Sequence, residues 1–516
     1  MRAALILFAS LAVAVSCSAQ GPRLYKLSGS PANALPLSNV VNDIVVRGDT
    51  LWMGTERGLQ YTSDGGSSWL YFSNNGVFDE KGISAIAIRG DIIWVATAYT
   101  FKQDDQSLPA GGGLYRSTDR GLTWKNFAQP IDTGTVNIIP YGINNIRSLA
   151  ITTAVNNITY DIALTAGAVW TANYAGMLRK SLDSGKTWQR VVLPPDGPPK
   201  SIKPTDSLHF DLAPIGGEKL GLQGNLNHRV FSVYASNDST IWVGTAAGIN
   251  KSTDGGISWQ HISAQDTGQT ISGNFVVAIN EMRRGTQRTL WAATINAESQ
   301  SEVRGVSFSR DGGATWSATL LGEFAHNISF KDSIIYAATD RGLFRSPDDG
   351  ATWQKAGTIY DPNSLHRFVA PEVFAANIHN DEVWVGGPEG VAMTLDRPGN
   401  PFGTTWKVFR TYQSLSSETS TYSFPSPFSP GDEPVRVHFK MPSTGDGTIT
   451  IRIFDFAMQP VRTLLHAAPR TVGQEYDEIW NGATDRGNVV ANGVYFYRIE
   501  FGSGQSPAWG KIFVLK

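Results

Sequence analysis

One eight-residue element recurs along the first four-fifths of this 516-residue chain. It reads Ser/Thr-x-Asp-x-Gly-x-Ser/Thr-Trp, and each copy follows an apolar stretch that contains Trp-x-Gly/Ala-Thr or a close variant. The copies contain Asp64, Asp119, Asp183, Asp254, Asp311, Asp348 and Asp396. Successive aspartates lie 37 to 71 residues apart, so a short unit carries insertions of variable length. This spacing is typical of a repeat array on a fixed scaffold.

Each repeat predicts four short strands. In the first repeat, apolar runs at 43–46, 51–55, 58–61 and 69–72 are separated by turns rich in Gly, Asp and Ser. Seven units of four strands predict an all-β, seven-bladed β-propeller over residues 20–412. The 53 glycines and 15 tryptophans of the chain suit this architecture, because turns need positive φ and blade faces need large flat side chains.

The recurring element resembles the Asp box of BNR/sialidase-type repeats, which also occurs in sortilin-like and photosystem II assembly factor-like propellers. The resemblance covers about residues 38–412, and an insertion separates Asp396 from Trp406 in the seventh copy. It implies that the seven aspartates accept hydrogen bonds from the turn backbone and that the tryptophans pack between blades. We therefore expect the boxes to be structural and assign them no catalytic residue.

Long segments between the predicted strands point to one face of the propeller. They are 98–112, 129–157, 193–229, 296–305 and 356–371. Long loops on a rigid scaffold commonly bind ligands, so the candidate site is this face and the mouth of the central channel. The segment 193–229 is either a binding loop or a covering surface loop. As a binding loop it offers His209, Asp211, Glu218, Lys219, His228 and Arg229.

Two functional hypotheses remain open. The first is a non-catalytic binding or assembly protein that recognises a protein or a glycan with the long-loop face. The second is a secreted glycoside hydrolase, which needs two carboxyl groups about 5 to 10 Å apart. The candidate acids for it are Asp104, Asp105, Asp206, Asp211, Glu218, Glu298 and Glu302. A structural surface protein is a third, weaker hypothesis. The sialidase Phe/Tyr-Arg-Ile-Pro element is replaced by Gly-Pro-Arg-Leu-Tyr at 21–25, which argues against a sialidase.

Composition argues against other chemistries. The chain has 43 Lys and Arg against 45 Asp and Glu, and no basic stripe, which disfavours nucleic acid as a partner. The eight histidines are scattered, and neither a phosphate-binding Gly-rich loop nor Cys/His metal spacing occurs. The sequence therefore predicts no cofactor and no metal ion.

The N-terminal residues predict export. Arg2, an apolar run and small residues up to Ala19 are typical of a secretory signal over residues 1–19. An alternative interpretation makes Cys17 the lipidated residue of a lipoprotein, although Ala14 stands where a Leu-like residue is expected. Because Cys17 is the only cysteine, a chain cleaved after Ala19 has no disulfide bonds and, by its hydropathy, no transmembrane span.

The C-terminal part predicts a second all-β domain. A Ser/Thr-rich linker at 413–422 precedes period-two strands over 423–516, which indicates an Ig-like β-sandwich. Its motifs resemble the FlgD-like Ig domain and the C-terminal sorting domains of type IX secretion substrates; they include Trp-Asn-Gly at 480–482 and Lys-Ile-Phe-Val-Leu-Lys at 511–516. Ser426 and Asn481 depart from the usual Asn and Asp. The resemblance implies export to the surface of a Gram-negative bacterium and contact with its outer-membrane secretion machinery; a plain structural sandwich is the alternative.

Overall fold

A computed structural model describes residues 24–26, 35–72, 77–103, 106–134, 136–212, 224–297, 299–368, 370–411, 420–430, 434–502 and 505–516. Within these ranges the chain forms β-strands and two short 3-10 helices, Val77–Glu80 and Leu226–His228. The all-β prediction is confirmed. Among the described residues, no helix has the length and apolar character needed to cross a membrane. The predicted signal segment and Cys17 lie outside the described residues.

Seven antiparallel sheets follow one another along the chain, and we number them blades 1 to 7. Blade 1 consists of Val41–Arg47, Thr50–Thr55, Gly58–Thr62 and Leu70–Tyr71. Blade 2 consists of Gly82–Arg89, Ile92–Gln103, Gln106–Ser117 and Thr123–Phe127. Blade 3 consists of Thr159–Leu164, Val169–Asn173, Met177–Ser181 and Gln189–Arg190. Blade 4 consists of Val230–Ala235, Ile241–Thr245, Gly248–Ser252 and Trp259–Ile262.

The remaining three blades follow the same order. Blade 5 consists of Phe275–Arg284, Gln287–Ile295, Gly305–Ser309 and Ser317–Thr319. Blade 6 consists of Ala325–Lys331, Ile334–Thr339, Gly342–Ser346 and Gln354–Lys355. Blade 7 consists of Ala375–His379, Glu382–Gly387, Gly390–Leu395 and Lys407–Phe409. The first strands surround a central channel, so each blade presents its inner edge to that channel.

Two extra strands extend the outer edges of blades 2 and 4. Leu24–Lys26 pairs antiparallel with Thr123–Phe127, the outer strand of blade 2. Ser201–Ile202 pairs with Trp259–Ile262, the outer strand of blade 4. Residues 24–26 therefore add an outer strand to blade 2, although they precede blade 1 in the chain.

Six of the recurring turns have the same hydrogen bonds. In the turn of blade 4, the Ser252 hydroxyl donates to Asp254 at 2.8 Å, and the Ser258 N–H and hydroxyl donate to the same carboxylate at 2.9 and 2.5 Å. Gly256 N donates to the Ser252 hydroxyl at 2.8 Å, which closes the turn. The corresponding carboxylates with this pattern are Asp64, Asp119, Asp183, Asp311 and Asp348.

The hydrogen bonds in these turns hold the pKa of each carboxyl below its ordinary value. For Asp183, bonds from the Thr187 hydroxyl and N–H lower the pKa to about 2. The carboxylate is therefore charged, and accepts hydrogen bonds, over the whole neutral range.

Asp396 departs from this pattern. Its carboxylate accepts a bond from the Arg345 Nε at 2.5 Å and from the Tyr336 hydroxyl, both in blade 6. The insertion between Asp396 and Thr405 removes the hydroxyl residue four positions later, so no box turn forms around this carboxylate. The expectation that all seven aspartates form equivalent turns is corrected here: Asp396 instead connects blade 7 to blade 6.

The recurring turns also join neighbouring blades. Gly313 has a φ of +89°, and a Cβ built there would lie 2.7 Å from the Trp242 indole of the preceding blade. The following Trp316 meets the same indole edge-on, with ring centroids 6.4 Å apart. Equivalent Gly–Trp contacts are Gly121–Trp52, Gly185–Trp94, Gly256–Trp170 and Gly350–Trp291. Each turn therefore fits the face of the blade before it, and a side chain at the glycine would separate the two blades.

Blade 7 meets blade 1 without sharing a strand. Trp69 of blade 1 contacts Trp384 and Phe409 of blade 7 edge-on, at 6.5 and 5.6 Å between centroids. The Asn39 side chain donates to Thr411 O at 3.0 Å and accepts from Thr411 N at 2.8 Å. Side-chain packing and side-chain hydrogen bonds, among them this pair and one from Asn377 to Ile44 O, therefore close the ring in the described part of the chain.

The described residues of the long segments 129–157 and 193–229 lie mainly away from the channel mouth, on the outer side of blades 3 and 4. The first contains a hairpin, Ile138–Tyr141 with Asn144–Arg147, and the Arg190 side chain of the outer strand of blade 3 donates to its carbonyl oxygens. The Tyr141 hydroxyl donates to Ile257 O in the box turn of blade 4 at 2.7 Å. Apolar side chains of both segments share one buried cluster with blades 3 and 4; they include Ile139, Ile146, Leu193, Ile202 and Leu212.

Burial of this apolar set explains why the two segments pack against blades 3 and 4. The two segments cover the outer edges of blades 3 and 4, where they remove Trp170 and Trp259 from water. The segment 98–112 also differs from a loop, because the second and third strands of blade 2 extend into a hairpin arm over Ile92–Gln103 and Gln106–Ser117.

The C-terminal residues form two further sheets. One contains Thr421–Phe424, Val435–Lys440 and Glu475–Trp480, and the other contains Pro460–Pro469, Thr448–Phe454, Gly493–Phe501 and Ala508–Val514. Both sheets contribute to one buried cluster that includes Val437, Ile451, Trp480 and Tyr497. The first strand begins at Thr421, inside the segment predicted as linker. An Arg436 side chain from this part donates to Ser364 O, between blades 6 and 7.

We predict that Asp254→Ala lowers the stability of the propeller without changing ligand binding. The substitution leaves the Ser258 N–H and hydroxyl without their acceptor, which we expect to cost about 1–2 kcal/mol of unfolding free energy. Denaturant titration followed by tryptophan fluorescence measures this loss. Asp49→Ala removes a carboxylate whose side chain is 97% exposed and provides the control. Equal midpoints for the two variants would contradict a structural role for the turn.

Candidate functional site

A β-bulge near the start of the first strand shapes the channel mouth. In blades 1 to 6 the pairing of the first and second strands shifts by one residue at this point, so one residue per blade is left unpaired. The unpaired residues are Asn42, Ser84, Tyr160, Phe231, Val277 and His326, and all six line the channel. A bulge re-aims a side chain, and here it turns one residue of each of these blades toward the same space.

The residue after the bulge connects adjacent first strands. Asp43 accepts a bond from Ile86 N of blade 2 at 2.9 Å, and Asp161 accepts one from Val233 N of blade 4 at 2.9 Å. In blade 7 an amide makes the equivalent link as a donor instead of an acceptor: the Asn377 side chain donates to Ile44 O of blade 1 at 3.0 Å. Hydrogen bonds from side chains to the backbone therefore link the first strands of these neighbouring blades, where no backbone ladder joins the two sheets.

Asp43 and Asp161 are the two acids of this inner ring. Desolvation by the channel walls raises the pKa of Asp43 to about 6, despite the backbone N–H bonds from Ile86 and Ile44 that oppose it. The same desolvation, with a smaller contribution from the charge of Asp43, raises the pKa of Asp161 to about 7. Both carboxyls line one cavity of about 480 Å³, so two groups that exchange protons near neutral pH face the same channel.

Aromatic side chains form one side of the mouth. The ring of Phe231 lies 5.5 Å from Tyr160, 5.8 Å from Tyr174 and 4.3 Å from Phe275, measured between centroids. The Arg229 guanidinium lies over the Tyr174 ring at 5.6 Å. Tyr160 is 40% exposed, so part of this cluster is open to solvent. The arrangement offers flat apolar faces beside the polar inner ring.

Of the six residues predicted to bind ligand, the four that the structure describes have separate contacts and do not converge. His209 is exposed, near the Ser207 hydroxyl, and Asp211 faces Arg147 of the hairpin at 4.0 Å, both on the cover of the outer edge. His228 is buried and its Nε2 lies 2.8 Å from Ala175 O; burial lowers its pKa to about 4. Arg229 alone joins the aromatic cluster of the mouth. Glu218 and Lys219 lie outside the described residues.

The loop acids proposed for hydrolysis are engaged locally where the structure describes them. The Glu302 carboxylate accepts bonds from Asn274 N and Ala297 N at 3.0 and 2.7 Å. Asp206 accepts a bond from Lys203 N at 2.8 Å. These carboxylates hold turns together, and the acid that lines a cavity with Glu302, Asp196, is itself tied by hydrogen bonds from Leu226 N and Asn227 N at 2.8 Å. The acids outside the described residues are Asp104, Asp105, Glu218 and Glu298.

Sequence reasoning missed the channel-lining residues. The bulged residue and its successor precede Ile in three blades, as Asn42-Asp43-Ile44, Tyr160-Asp161-Ile162 and His326-Asn327-Ile328, and blade 7 has Asn377-Ile378 at the same place without a bulge. A polar residue near the start of an otherwise apolar first strand therefore marks, in the sequence, the residues that line the channel. Alignment of the repeats on their first strands, instead of on their turns, finds it.

Comparison with known proteins found no matching family model. The chain is 24% identical over 380 residues to a xyloglucanase of Paenibacillus sp, covering 67% of this chain and 35% of that enzyme. It is 27% identical over 338 residues to a sialidase of Bacteroides fragilis (strain YCH46), covering 58% of each protein. The chain thus spans about a third of the xyloglucanase and just over half of the sialidase.

Among solved structures, the chain is similar to the GH74 enzyme of Niastella koreensis, with a TM-score of 0.49 and 14% sequence identity. The match covers 94% of this chain and 74% of that one.

We predict that the inner-ring acids Asp43 and Asp161 contribute stability that is lost as pH rises from 5 to 8, whereas His228, His261 and His366, whose pKa burial lowers to about 4, contribute in the opposite direction. The folded-state pKa of Asp161, about 7, lies above the value of about 3.9 for an unfolded Asp. Between these values the folded chain holds a proton that the unfolded chain has released, so stability is lost as pH rises through the window. Melting temperatures at pH 5 and 8 measure the loss.

Asp161→Asn removes this titration, so between pH 5 and 8 we expect the melting temperature to fall more, or rise less, in the unsubstituted protein than in the variant. Asp49→Asn, at a side chain that is 97% exposed, is the control and keeps the original difference. An identical pH dependence in Asp161→Asn would contradict the assignment.

Proposed function

We propose that this protein is an exported, non-catalytic glycan-binding protein whose ligand lies across the channel mouth. The observation that carries the proposal is the convergence of bulged side chains from six blades, with Tyr160 and Phe231 beside Asn42 and Ser84. Aromatic faces stack on the C–H faces of sugar rings, and amides and hydroxyls exchange hydrogen bonds with sugar hydroxyls. The mouth combines both kinds of group in one concave site.

Similarity to glycan-acting enzymes supports the ligand class. The xyloglucanase and the sialidase that resemble this chain are, by name, enzymes of polysaccharides and sialylated glycans, and the present chain covers only part of each. The binding hypothesis also allows a protein, instead of a glycan, to bind at the same mouth.

The absence of a free acid pair in the described loops favours binding over hydrolysis. Glu302 and Asp206 accept backbone hydrogen bonds, and Asp211 faces Arg147. A proton donor and a nucleophile or base must instead reach the substrate from opposite sides.

One observation favours the alternative, a secreted glycoside hydrolase. Asp43 and Asp161 line the same cavity, and their pKa values of about 6 and 7 suit proton transfer at neutral pH. However, both carboxylates accept inter-blade N–H bonds, which ties them to the scaffold. In the hydrolase hypothesis these two residues are the acid and base.

We predict that Tyr160→Ala lowers glycan affinity at least tenfold, because it removes the most exposed ring of the mouth. Binding is measured by affinity electrophoresis and calorimetry on the full chain against xyloglucan, other polysaccharides and sialylated glycans, with product analysis of the same mixtures. Tyr160→Phe keeps the ring and is expected to keep the affinity. Tyr360→Ala, at a tyrosine that is 39% exposed and does not line the channel, is the matched control.

The outcomes separate the hypotheses. Released sugar that disappears in Asp161→Asn and in Asp43→Asn would replace the binding proposal with the hydrolase. Glycan binding that Tyr160→Ala leaves unchanged would move the site away from the mouth. If no glycan in the panel binds, a protein ligand becomes the better form of the hypothesis.

We also propose that residues 423–516 direct the chain to the cell surface. The support is the resemblance to type IX sorting domains and two sheets that enclose one core, with a turn in which Ala483 N donates to the Asn481 side chain at 3.1 Å. The signal segment at 1–19 starts export in this proposal. Lipidation at Cys17 is the alternative means of attachment.

We predict that deletion of 420–516 leaves the chain in the periplasm of a Gram-negative host with a type IX system, whereas the full chain reaches the surface. Cell fractionation and surface proteolysis measure this. The melting temperature of the purified truncated protein checks that the propeller still folds. Surface display of the truncated chain would contradict a sorting role, and its loss in Cys17→Ser would favour lipidation.

A further inference from the structure

Three side chains with metal-binding atoms meet beside the channel mouth. His326 is the bulged residue of blade 6, Asp340 lies in the turn between the second and third strands of that blade, and Glu372 lies in the segment that leads to blade 7. One ligand atom from each lies within 4.8 Å of the other two, and His326 Nε2 is 2.6 Å from Asp340 Oδ1. All three side chains are half-buried.

The backbone fixes the positions of these side chains. Asp340 N donates to Phe324 O at 3.1 Å, and Val373 N, next to Glu372, donates to Thr339 O at 3.0 Å. The His326 ring stacks on Phe324 at 4.6 Å and meets Phe374 edge-on at 5.7 Å between centroids. The imidazole plane is therefore set by packing, and the two acids are held by the strands on either side of it.

Charge at this cluster calls for a cation. Two carboxylates within 4.8 Å of each other repel, and this repulsion grows where water is partly excluded. The neighbouring Arg341 donates to Glu323 at 2.8 Å, so its charge is compensated by that pair. Within the described residues, Glu372 has no hydrogen bond or ion pair that would balance its charge, so a cation at the cluster would remove the repulsion.

The donor set selects a class of cation. One imidazole nitrogen with two carboxylate oxygens suits zinc and other first-row divalent ions, whereas calcium prefers oxygen ligands alone. Ligand atoms around a tetrahedral zinc ion are roughly 3.3 Å apart, which follows from Zn–N and Zn–O distances of about 2.0–2.2 Å. The separations of 2.6 Å and up to 4.8 Å in this cluster bracket that value.

We propose that His326, Asp340 and Glu372 bind a divalent transition-metal ion of the zinc class. Three protein ligands leave a coordination position open, as in metal sites that bind a further ligand. Of the three ligands, His326 also lines the channel, so the site lies at the edge of the mouth. An ion there would accept an oxygen of a bound molecule. The proposal rests on the geometry of the cluster alone and does not depend on the ligand proposed for the mouth.

Titration of the chelator-treated full chain with zinc chloride tests the proposal. We expect one zinc ion per chain by calorimetry, and at least tenfold weaker binding for His326→Ala and for Glu372→Gln. Asp340→Asn is the most informative variant, because the amide keeps a hydrogen bond to His326 but loses the anionic ligand. It is expected to weaken zinc binding while the melting temperature without metal stays within a degree or two of the unsubstituted protein.

His379→Ala is the matched control. His379 is also 23% exposed and lies near two carboxylates, with Nδ1 3.5 Å from Glu382 and Nε2 3.8 Å from Asp49, but on the opposite face of the propeller. It should bind zinc like the unsubstituted protein. Absence of stoichiometric binding, or equal loss in His379→Ala and His326→Ala, would overturn the proposal. If His326→Ala fails to fold, Glu372→Gln and Asp340→Asn decide the question.

Discussion

The contact between a turn glycine and the indole of the preceding blade is the constraint on which the propeller depends. Gly313 against Trp242 shows why the recurring element has its form. The aspartate shapes the turn, the glycine at positive φ allows the close approach, and the tryptophan three residues later packs edge-on against the same indole. One run of eight residues therefore determines both the shape of the turn and the packing of its blade against the preceding blade.

The sequence predicted this scaffold well because its determinants are local. Six turns have identical hydrogen bonds since the hydroxyl and aspartate partners lie within four residues of each other. Asp396 shares with the other turns the hydroxyl residue two positions before it, Thr394, but makes a different contact, because an inserted segment displaces the residues that would complete its turn. The sequence left the segment 193–229 open between a binding loop and a covering loop for a related reason: Leu193, Ile202 and Leu212 are scattered along the chain, and only the fold brings them together over blades 3 and 4.

The candidate site was harder to predict because it depends on a backbone irregularity. A one-residue bulge turns Tyr160, Phe231 and His326 into the channel, whereas strict alternation along a strand does not specify such a shift. The cluster of His326, Asp340 and Glu372 depends on three segments separated by 14 and 32 residues, which no motif connects. What the sequence does contain is the repeated polar residue before Ile in the first strands, and this becomes visible once the blades are superposed.

The way the ring closes has a consequence for chain connectivity. Every blade takes its four main strands from one continuous run of residues, and the junction of blades 7 and 1 depends on Trp69, Trp384, Phe409 and the Asn39–Thr411 pair. In a propeller whose last sheet combines strands from both termini, that shared sheet ties the two ends of the chain together. Here the order of blades is topologically free, so new termini between any two blades would cut no sheet. The same junction is the one between successive blades of the ring that no peptide connection spans in the described chain, so it is the natural point at which the ring parts under mechanical load.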